Sequence, residues 1–386
     1  MKSTPPQTPR RAGNGASRRS NGDARRVTLI TGGAGFLGSN LADRIAGQGE
    51  TVIIYDSLAR ANVEENLAWL QRRHGDRIRT EIADVRDART IRNAVARADR
   101  VFHFAAQVAV TTSLDDPLHD FDVNARGTLN VLEAIRAQPI PPPLVFTSTN
   151  KVYGALDDLP LRRRNARYEP TDDQVRRHGV DETRPLDFHS PYGCSKGTAD
   201  QYVLDYARSY GIPAIVFRMS CIYGPHQFGN EDQGWVAHFA IRALEGRPIT
   251  LYGDGRQVRD ILFVDDLVDA FLLAQSHMPT EAGQAFNVGG GADNAVSLLE
   301  VVELIAELTG TRPEIEMDEW RTGDQRYYVS DTGKLGRATG WRPRTTVREG
   351  VAALVSWLQS TRAVHAAARP LAGDAVAAKA VSGAGG

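Results

Sequence analysis

Tyr192 and Lys196 stand four residues apart in the run Ser190-Pro191-Tyr192-Gly193-Cys194-Ser195-Lys196. On a helix, that spacing places a phenol and an ammonium on one face. An ammonium beside a phenol favours the phenolate, so the pair is expected to lower the tyrosine's pKa. A phenol tuned in this way can take a proton from a sugar hydroxyl near neutral pH and return it to a ketone. Upstream, Thr147-Ser148-Thr149-Asn150 closes an apolar run with three hydroxyls. Such clusters commonly cap or turn the chain. Ahead of a Tyr-x-x-x-Lys run, Thr149 is instead expected to hydrogen-bond the reacting oxygen and help move its proton. Lys196 is expected also to bond a cofactor ribose, fixing its geometry.

Oxidation of a hydroxyl needs a hydride carrier, and a second signature supplies a place for one. Thr31-Gly32-Gly33-Ala34-Gly35-Phe36-Leu37-Gly38 lies between the apolar run Val27–Thr31 and a helical pattern of Leu37, Leu41 and Ile45. Glycines 32, 35 and 38 permit a tight turn, and the amides opening the helix, from Phe36 and Leu37, suit a pyrophosphate. Asp56 ends the next apolar run and is the expected acceptor for the adenosine ribose hydroxyls. A carboxylate there repels a 2′-phosphate, which favours NAD over NADP, with Arg60 the one residue that softens this choice. Asp84-Val85 is placed to address the adenine, the competing role for Asp84 being a cap for the helix starting at Asp87. The small Ala105 and Ala106 let the cofactor pass close to backbone, and Ser148 is expected to face it.

The elements that must position these residues read as a doubly wound parallel sheet. Strands are expected at Val27–Thr31, Thr51–Tyr55, Arg77–Ile82, Arg100–Ala105, Leu144–Ser148 and Ala214–Met219. Helices fall between them, around Asp87–Ala98 and Phe121–Ala137. From about residue 222 the alternation loosens. Short strands around Ile249–Tyr252, Ile261–Val264, Ala285–Val288 and Pro313–Met317 mix with helices near 265–274, 297–309 and 346–359. The expected architecture is therefore α/β, with a Rossmann-type domain mainly over 27–221 and a smaller mixed α/β substrate lobe mainly over 222–360. The substrate is expected in the cleft between them. An arginine-rich tail (1–26) and an Ala/Gly-rich tail (361–386) are expected to be disordered. The charged insertion 155–184 reads equally as a flap over the site or a solvated loop.

Composition bounds the rest. The chain has 386 residues, 41% of them hydrophobic, and a formal net charge of −1, so nothing in its overall charge points to nucleic acid or an anionic membrane. The basic triplet Arg162-Arg163-Arg164 is surrounded by acids and lacks interleaved aromatics, which again argues against nucleic acid. No run of about 18 apolar residues is present, so no membrane span is expected. Two cysteines make no disulfide framework; a reducing, cytoplasmic setting fits, with Cys194 and Cys221 as small packing residues.

The glycine signature together with Thr149, Tyr192 and Lys196 resembles the extended short-chain dehydrogenase/reductase family, the NAD-dependent sugar epimerases and dehydratases, from about Val27 to Gln359. Longer runs are similar to the branch that inverts carbon 2 of CDP-linked dideoxyhexoses. They are Ser148-Thr149-Asn150-Lys151-Val152-Tyr153-Gly154, Leu186 to Lys196, Asp232-Gln233-Gly234-Trp235-Val236, Gly255-Arg256-Gln257-Val258-Arg259-Asp260 and Ser297-Leu298-Leu299-Glu300. The resemblance implies that Arg259 and Arg321 clamp a nucleotide pyrophosphate and that Asp324 binds its ribose. It also implies that Asn124 borders the cofactor and supports the site, and that the protein is a homo-oligomer. Gln233 and Trp235 are expected to shape the sugar or base pocket, and His189 to open the catalytic helix or pack there. Family dehydratases carry Asp-Glu directly after the catalytic Thr, and the decarboxylases a Glu two residues on; Asn150 and Lys151 stand here instead. Elimination and decarboxylation thereby lose their acid and base. The expected reaction is redox reversed on one enzyme: epimerisation of a CDP-deoxyhexose at carbon 2, or of a UDP-hexose at carbon 4. A non-catalytic NAD-binding protein of the same fold is the alternative from another class.

Overall fold

A computed structural model of the chain describes residues 25–321 and 323–368. The expected N-terminal tail lies outside the described residues up to 24, and the C-terminal one from 369 on. Past residue 361 the chain is still helical, because the last helix, Val347–Ala368, runs beyond the expected boundary.

Fifteen strands follow in chain order: β1 Val27–Thr31, β2 Thr51–Asp56, β3 Ile78–Ile82, β4 Arg100–His103, β5 Leu144–Thr149, β6 Leu161–Arg164, β7 Arg167–Pro170, β8 Ala214–Met219, β9 Cys221–Tyr223, β10 Ile249–Tyr252, β11 Val258–Phe263, β12 Ala285–Val288, β13 Ala295–Ser297, β14 Ile315–Asp318 and β15 Tyr327–Tyr328. Seven form one parallel sheet in the order β12-β8-β5-β4-β1-β2-β3. Apart from the edge strand β3, which is more polar and only partly buried, their near-continuous apolar runs have a physical reason, since both faces are covered by helices. Ile30, Ile54, Phe102 and Phe217 enter one core, while Leu29, Ile53, Val101 and Phe146 enter the core on the opposite face. Strand order reverses between β1 and β4, and at such a point the crossovers diverge and leave a crevice beyond the strand carboxyl ends. Gly32–Gly38, Phe104–Ala106 and Thr149 all lie at those ends.

The smaller lobe is built on β11, which pairs with β9, β13 and β15, and on the parallel pair β10–β14. The boundary near residue 221 divides the chain mainly but not strictly. β12, from the C-terminal part, returns to pair with β8 in the large sheet.

Helices Val110–Asp115, Trp235–Glu245 and Gly333–Thr339 have no counterpart among the expected elements, and three further segments also differ from expectation. Val63–His74 is a helix with no counterpart among the expected elements; Val63, Leu67 and Leu70 are its buried stripe. The helix expected near 121–137 is three pieces: Pro117–Phe121, a π-helical turn at Asp122–Arg126 and the helix Gly127–Arg136. The insertion is neither flap nor loose loop. It folds into the antiparallel hairpin β6–β7 and a short helix, Asp173–His178. Arg167 makes two hydrogen bonds to the Glu300 carboxylate, Tyr168 N donates to Arg256 O (3.0 Å), and the Tyr168 hydroxyl donates to Asp254 (2.8 Å). Those contacts dock the hairpin on the smaller lobe.

The long helix Ser190–Tyr210 carries Tyr192, Lys196 and Asp200 at successive four-residue steps, all buried on one face. Asp200 receives two hydrogen bonds from Arg218 of β8, Nε at 2.9 Å and Nη2 at 3.0 Å. Arg218 also donates to the Tyr153 hydroxyl (3.2 Å), which donates in turn to Asn287 of β12 (2.7 Å). Breaking a buried pair leaves an unpaired charge in the core. Asp200→Ala should therefore cost about 3–5 kcal/mol, read as a lower urea midpoint, and a wild-type midpoint would refute the anchoring role.

Candidate functional site

A cavity of about 450 Å³ opens in the cleft. Phe36, Leu37, Ala106, Ser148, Thr149, Tyr192 and Lys196 line it from the large sheet and its helices, and Gln233, Trp235, Arg259, Arg321 and Asp324 from the other side. Gly32, Gly35, Gly38, Asp56, Asp84, Val85, Ala105 and Asn124 are not in that lining; they lie around it or beneath it.

Thr149 ends β5, beyond the last pair with β4 and opposite Met219 of β8, and lines the cavity there. Its hydroxyl donates to Asn150 Oδ1 (3.3 Å) and accepts from Lys151 N (3.2 Å). Asn150 is held from behind, its Nδ2 donating to Gln325 Oε1 (3.1 Å). Tyr192 is 8% exposed, and its backbone N–H donates to Ser113 Oγ (3.2 Å).

The expected depression of the phenol's pKa is not found. Burial pushes Tyr192 up to about 12; its hydrogen bond with Thr149 lowers it somewhat and the Asp120 charge raises it. Lys196 points elsewhere: Nζ donates to Thr147 O at 2.6 Å and sits 4.3 Å from the Phe146 ring centroid. Burial pushes the ammonium down to about 7, with Asp200 and Asp120 pulling it back. Desolvation outweighs the four-residue proximity.

Asn124 is the hub beneath the pair. On the π-helical turn, its Oδ1 accepts from Gln107 N (2.9 Å), and its Nδ2 donates to Asp120 (3.0 Å) and Ser195 Oγ (3.0 Å). Ser195 Oγ donates to Asp120 at 2.5 Å. Asn124 therefore braces the helix Ser190–Tyr210 without lining the cavity. His189 precedes the helix but caps nothing; its ring nitrogen lies 3.0 Å from Asp187.

The residues present fit NAD. A Cβ on Gly32 would lie 2.7 Å from Ala105 N, and one on Gly38 would lie 2.3 Å from Gly32 O. Those two glycines are demanded by the turn itself. Gly35 meets only Gly32 O at 3.2 Å and stands at the N-cap of helix Phe36–Gly47, with no side-chain cap and no acid in the first turn. That bare helix start suits a pyrophosphate. Asp56 accepts from Ala34 N (3.0 Å) and Leu58 N (2.9 Å), which orients its carboxylate beside the glycine turn. The Asp84 carboxylate is engaged by the backbone and guanidinium of Arg86, while Asp87 does the helix capping. Ser148 Oγ, by contrast, is a buried hydroxyl lacking a protein partner, open to a ligand donor or acceptor.

On the substrate side, Arg259 is buried, donating to Val258 O (2.8 Å) and to Asp324 Oδ1 (2.7 Å). Arg321 lies over the Tyr252 ring, 3.8 Å from its centroid, and donates to Glu231 O (3.1 Å). Trp235 donates to Cys221 Sγ at 3.3 Å. The cysteine expectation holds for Cys221, partly buried in the cavity wall, and fails for Cys194, which is exposed because its helix position faces outward. Sequence reasoning missed Lys151 as a lining residue, along with Tyr252, Gln227 and Gln257. Gln257 was findable, because it sits two residues before Arg259 in extended chain, where alternate side chains share a face.

Residues 28–289 match the NAD dependent epimerase/dehydratase family. The CDP-paratose 2-epimerase of Salmonella typhi is 40% identical over 345 residues, covering 86% of this chain and 99% of that protein. The UDP-glucose 4-epimerase of Mycolicibacterium smegmatis is 33% identical, covering 86% and 98%. Among solved structures, the Thermus thermophilus UDP-glucose 4-epimerase in complex with NAD superimposes with a TM-score of 0.72 at 33% identity, covering 86% of this chain and 99% of that one.

The buried lysine has a cost that can be read. Its folded pKa, about 7, lies below its ordinary 10.5, so between those values the unfolded chain binds the extra proton and stability rises with pH. Below pH 7 the cost is present in full. Lys196→Met should abolish turnover yet raise stability near pH 7 by about 1–3 kcal/mol. Thermal melts of the two proteins at pH 7 and pH 10 should differ less at the higher pH. A variant less stable than the parent at both would overturn this.

Proposed function

Because the chain belongs to the NAD-dependent epimerase/dehydratase family and uses NAD, we propose that it is a nucleotide-sugar epimerase, specifically one that inverts carbon 2 of CDP-paratose. One observation carries the reading. The proton-transfer group Thr149–Tyr192–Lys196 lines a cavity in which Asn150 and Lys151 stand at the two positions where, by the family resemblance, an eliminating enzyme carries Asp and Glu. The 40% identity along nearly the whole of a CDP-paratose 2-epimerase supports carbon 2 and cytidine.

NAD, when bound, supplies a hydride acceptor and returns the same hydride. It is expected to rest on the bare helix start at Gly35–Leu37, with Asp56 at its ribose and Ser148 and Lys196 at its nicotinamide end. Once the filled site has brought its pKa down, Tyr192 acts as the base that takes the proton from the carbon-2 hydroxyl. Thr149 bridges that oxygen and the phenol, and the Lys196 ammonium offsets the phenolate charge. Carbon 2 becomes a ketone. With the sugar's other face presented, Tyr192 would return the proton to the carbon-2 oxygen, and the configuration would be inverted with no net redox change. Arg259, Arg321 and Asp324 hold the nucleotide, with bidentate guanidinium contacts suited to a diphosphate. Gln233 and Trp235 shape the pocket around sugar or base.

The working form is proposed to be a homo-oligomer in the cytoplasm. Leu118, Phe121, Tyr202 and Tyr210 are exposed apolar residues on the neighbouring helices Pro117–Phe121 and Ser190–Tyr210, a face suited to a second copy. Among the described residues, no helix is long and apolar enough to cross a membrane.

Proton NMR of the purified protein with CDP-paratose in heavy water, with no cofactor added, tests the reaction. The expected outcome is the carbon-2 epimer without deuterium at carbon 2. Conversion of UDP-glucose to UDP-galactose, with CDP-paratose untouched, would put the reaction at carbon 4 instead. Tyr192→Phe should lower turnover by about 10²–10⁴-fold while the protein keeps its bound NAD. Near-normal turnover would remove Tyr192 from the proton transfer.

A further inference from the structure

Lys151 occupies a singular position between the two halves of the site. It follows Thr149 by two residues on the short 3₁₀ turn Asn150–Tyr153, and its backbone N–H holds the Thr149 hydroxyl. Its side chain crosses to the nucleotide side, where Nζ lies 3.3 Å from Asp324 Oδ1 and 3.4 Å from Gly323 O. Arg259 Nη2 reaches the same Asp324 oxygen at 2.7 Å. Lys151, Arg259 and Asp324 all line the cavity. Two cations therefore share one carboxylate oxygen, and the cluster carries an excess positive charge toward the ligand.

A plain ion-pair strut for the Gly323–Asp324 segment explains this poorly. Arg259 already meets that carboxylate at close range, while both Lys151 contacts sit beyond the usual N–H···O range of about 2.7–3.2 Å. An ammonium has three donors. Held by two long contacts, it has capacity left for a stronger acceptor. The desolvation cost of a buried ammonium is recovered only by good partners. A phosphate oxygen is such a partner, bearing full charge and accepting charge-assisted bonds.

We propose that Lys151 is a third diphosphate-binding cation, which exchanges Asp324 for a phosphate oxygen of the nucleotide sugar and so ties the phosphate-bearing end of the sugar to Thr149. This rests on the nucleotide-sugar reading above. It also gives that reading a geometric reason. Carbon 2 is bonded to carbon 1, which bears the diphosphate, whereas carbon 4 lies across the ring. A cation two residues from Thr149 that grips the phosphate draws the carbon-1 side of the sugar toward Tyr192. Asp324, relieved of one cation, is freed to accept from a ribose hydroxyl.

Calorimetric titration of the NAD-bound protein with CDP and with cytidine, and with UDP and uridine, isolates the phosphate contribution. Lys151→Gln should weaken both diphosphates by about tenfold or more, the worth of one charge-assisted hydrogen bond. Both nucleosides should be unaffected, and Lys151→Arg should recover most of the loss. Equal weakening of nucleoside and diphosphate would mean that Lys151 only props Asp324, and would overturn the proposal. Diphosphate affinity within about twofold of the parent would do the same. The diphosphate-to-nucleoside ratio does not depend on which carbon reacts or which base is preferred. If the carbon-2 reading fails, that appears in the NMR experiment on the parent protein and leaves this ratio intact.

Discussion

The buried ion pair between Asp200 and Arg218 governs the geometry on which everything else in this molecule depends. Asp200 lies one helical turn beyond Lys196 and two beyond Tyr192, so fixing its direction fixes the rotation of the whole helix about its axis. Arg218 belongs to β8, whose register places Met219 opposite Thr149 on β5. One guanidinium thus sets the positions of Tyr192 and Lys196 relative to Thr149. A bidentate contact restricts both translation and roll, which a purely apolar helix–sheet contact does not. The network extends through Tyr153 and Asn287, so the turn after Thr149 and the last sheet strand are held by the same group.

Around that frame the site is assembled from ionisable groups that burial pushes toward neutrality. Lys196 and Lys151 are both pulled below the ordinary lysine value, and Tyr192 is pushed above the ordinary phenol value. Lys196 rests on a backbone carbonyl and Lys151 on a carboxylate already claimed by Arg259. Burial makes each of these groups responsive to the charge of whatever enters the cavity. The protonation states that chemistry requires are therefore properties of the filled site. The side-chain spacing alone does not set them.

That distinction marks what could be read from the residues. The parallel sheet was legible because most of its strands are apolar on both faces, and β1 and β8 fall where their runs predict, while β12 matches its predicted run but joins the large sheet instead of the smaller lobe. The cofactor turn was legible because backbone crowding at Gly32 and Gly38 leaves no other residue type. Tyr192, Lys196 and Thr149 were legible as a set, but the direction of the tyrosine's pKa was not. Spacing reports that two groups share a face, while desolvation depends on everything packed above them. The docked hairpin at 161–170 was hidden for a similar reason. Arg167 and Tyr168 look like surface residues until Glu300 and Asp254, more than 80 positions away, are seen to receive them.

The seventh strand has a consequence for how the molecule comes into being. β12 is made after the whole of β9, β10 and β11, yet it belongs to the large sheet, and Asn287 within it completes the polar network behind the catalytic helix. A nascent chain can form the cofactor turn and the first strands early, since those pairings are close in sequence. The Tyr153 hydroxyl must wait for a partner roughly 130 residues further on, a closure whose entropy makes such long-range pairing slow. Until then the outer edge of β8 is an unpaired parallel strand, apolar and open to other chains. The chain that carries the cofactor turn, Thr149, Tyr192 and Lys196 is thus made while the polar support behind Tyr153 still lacks its last member, Asn287.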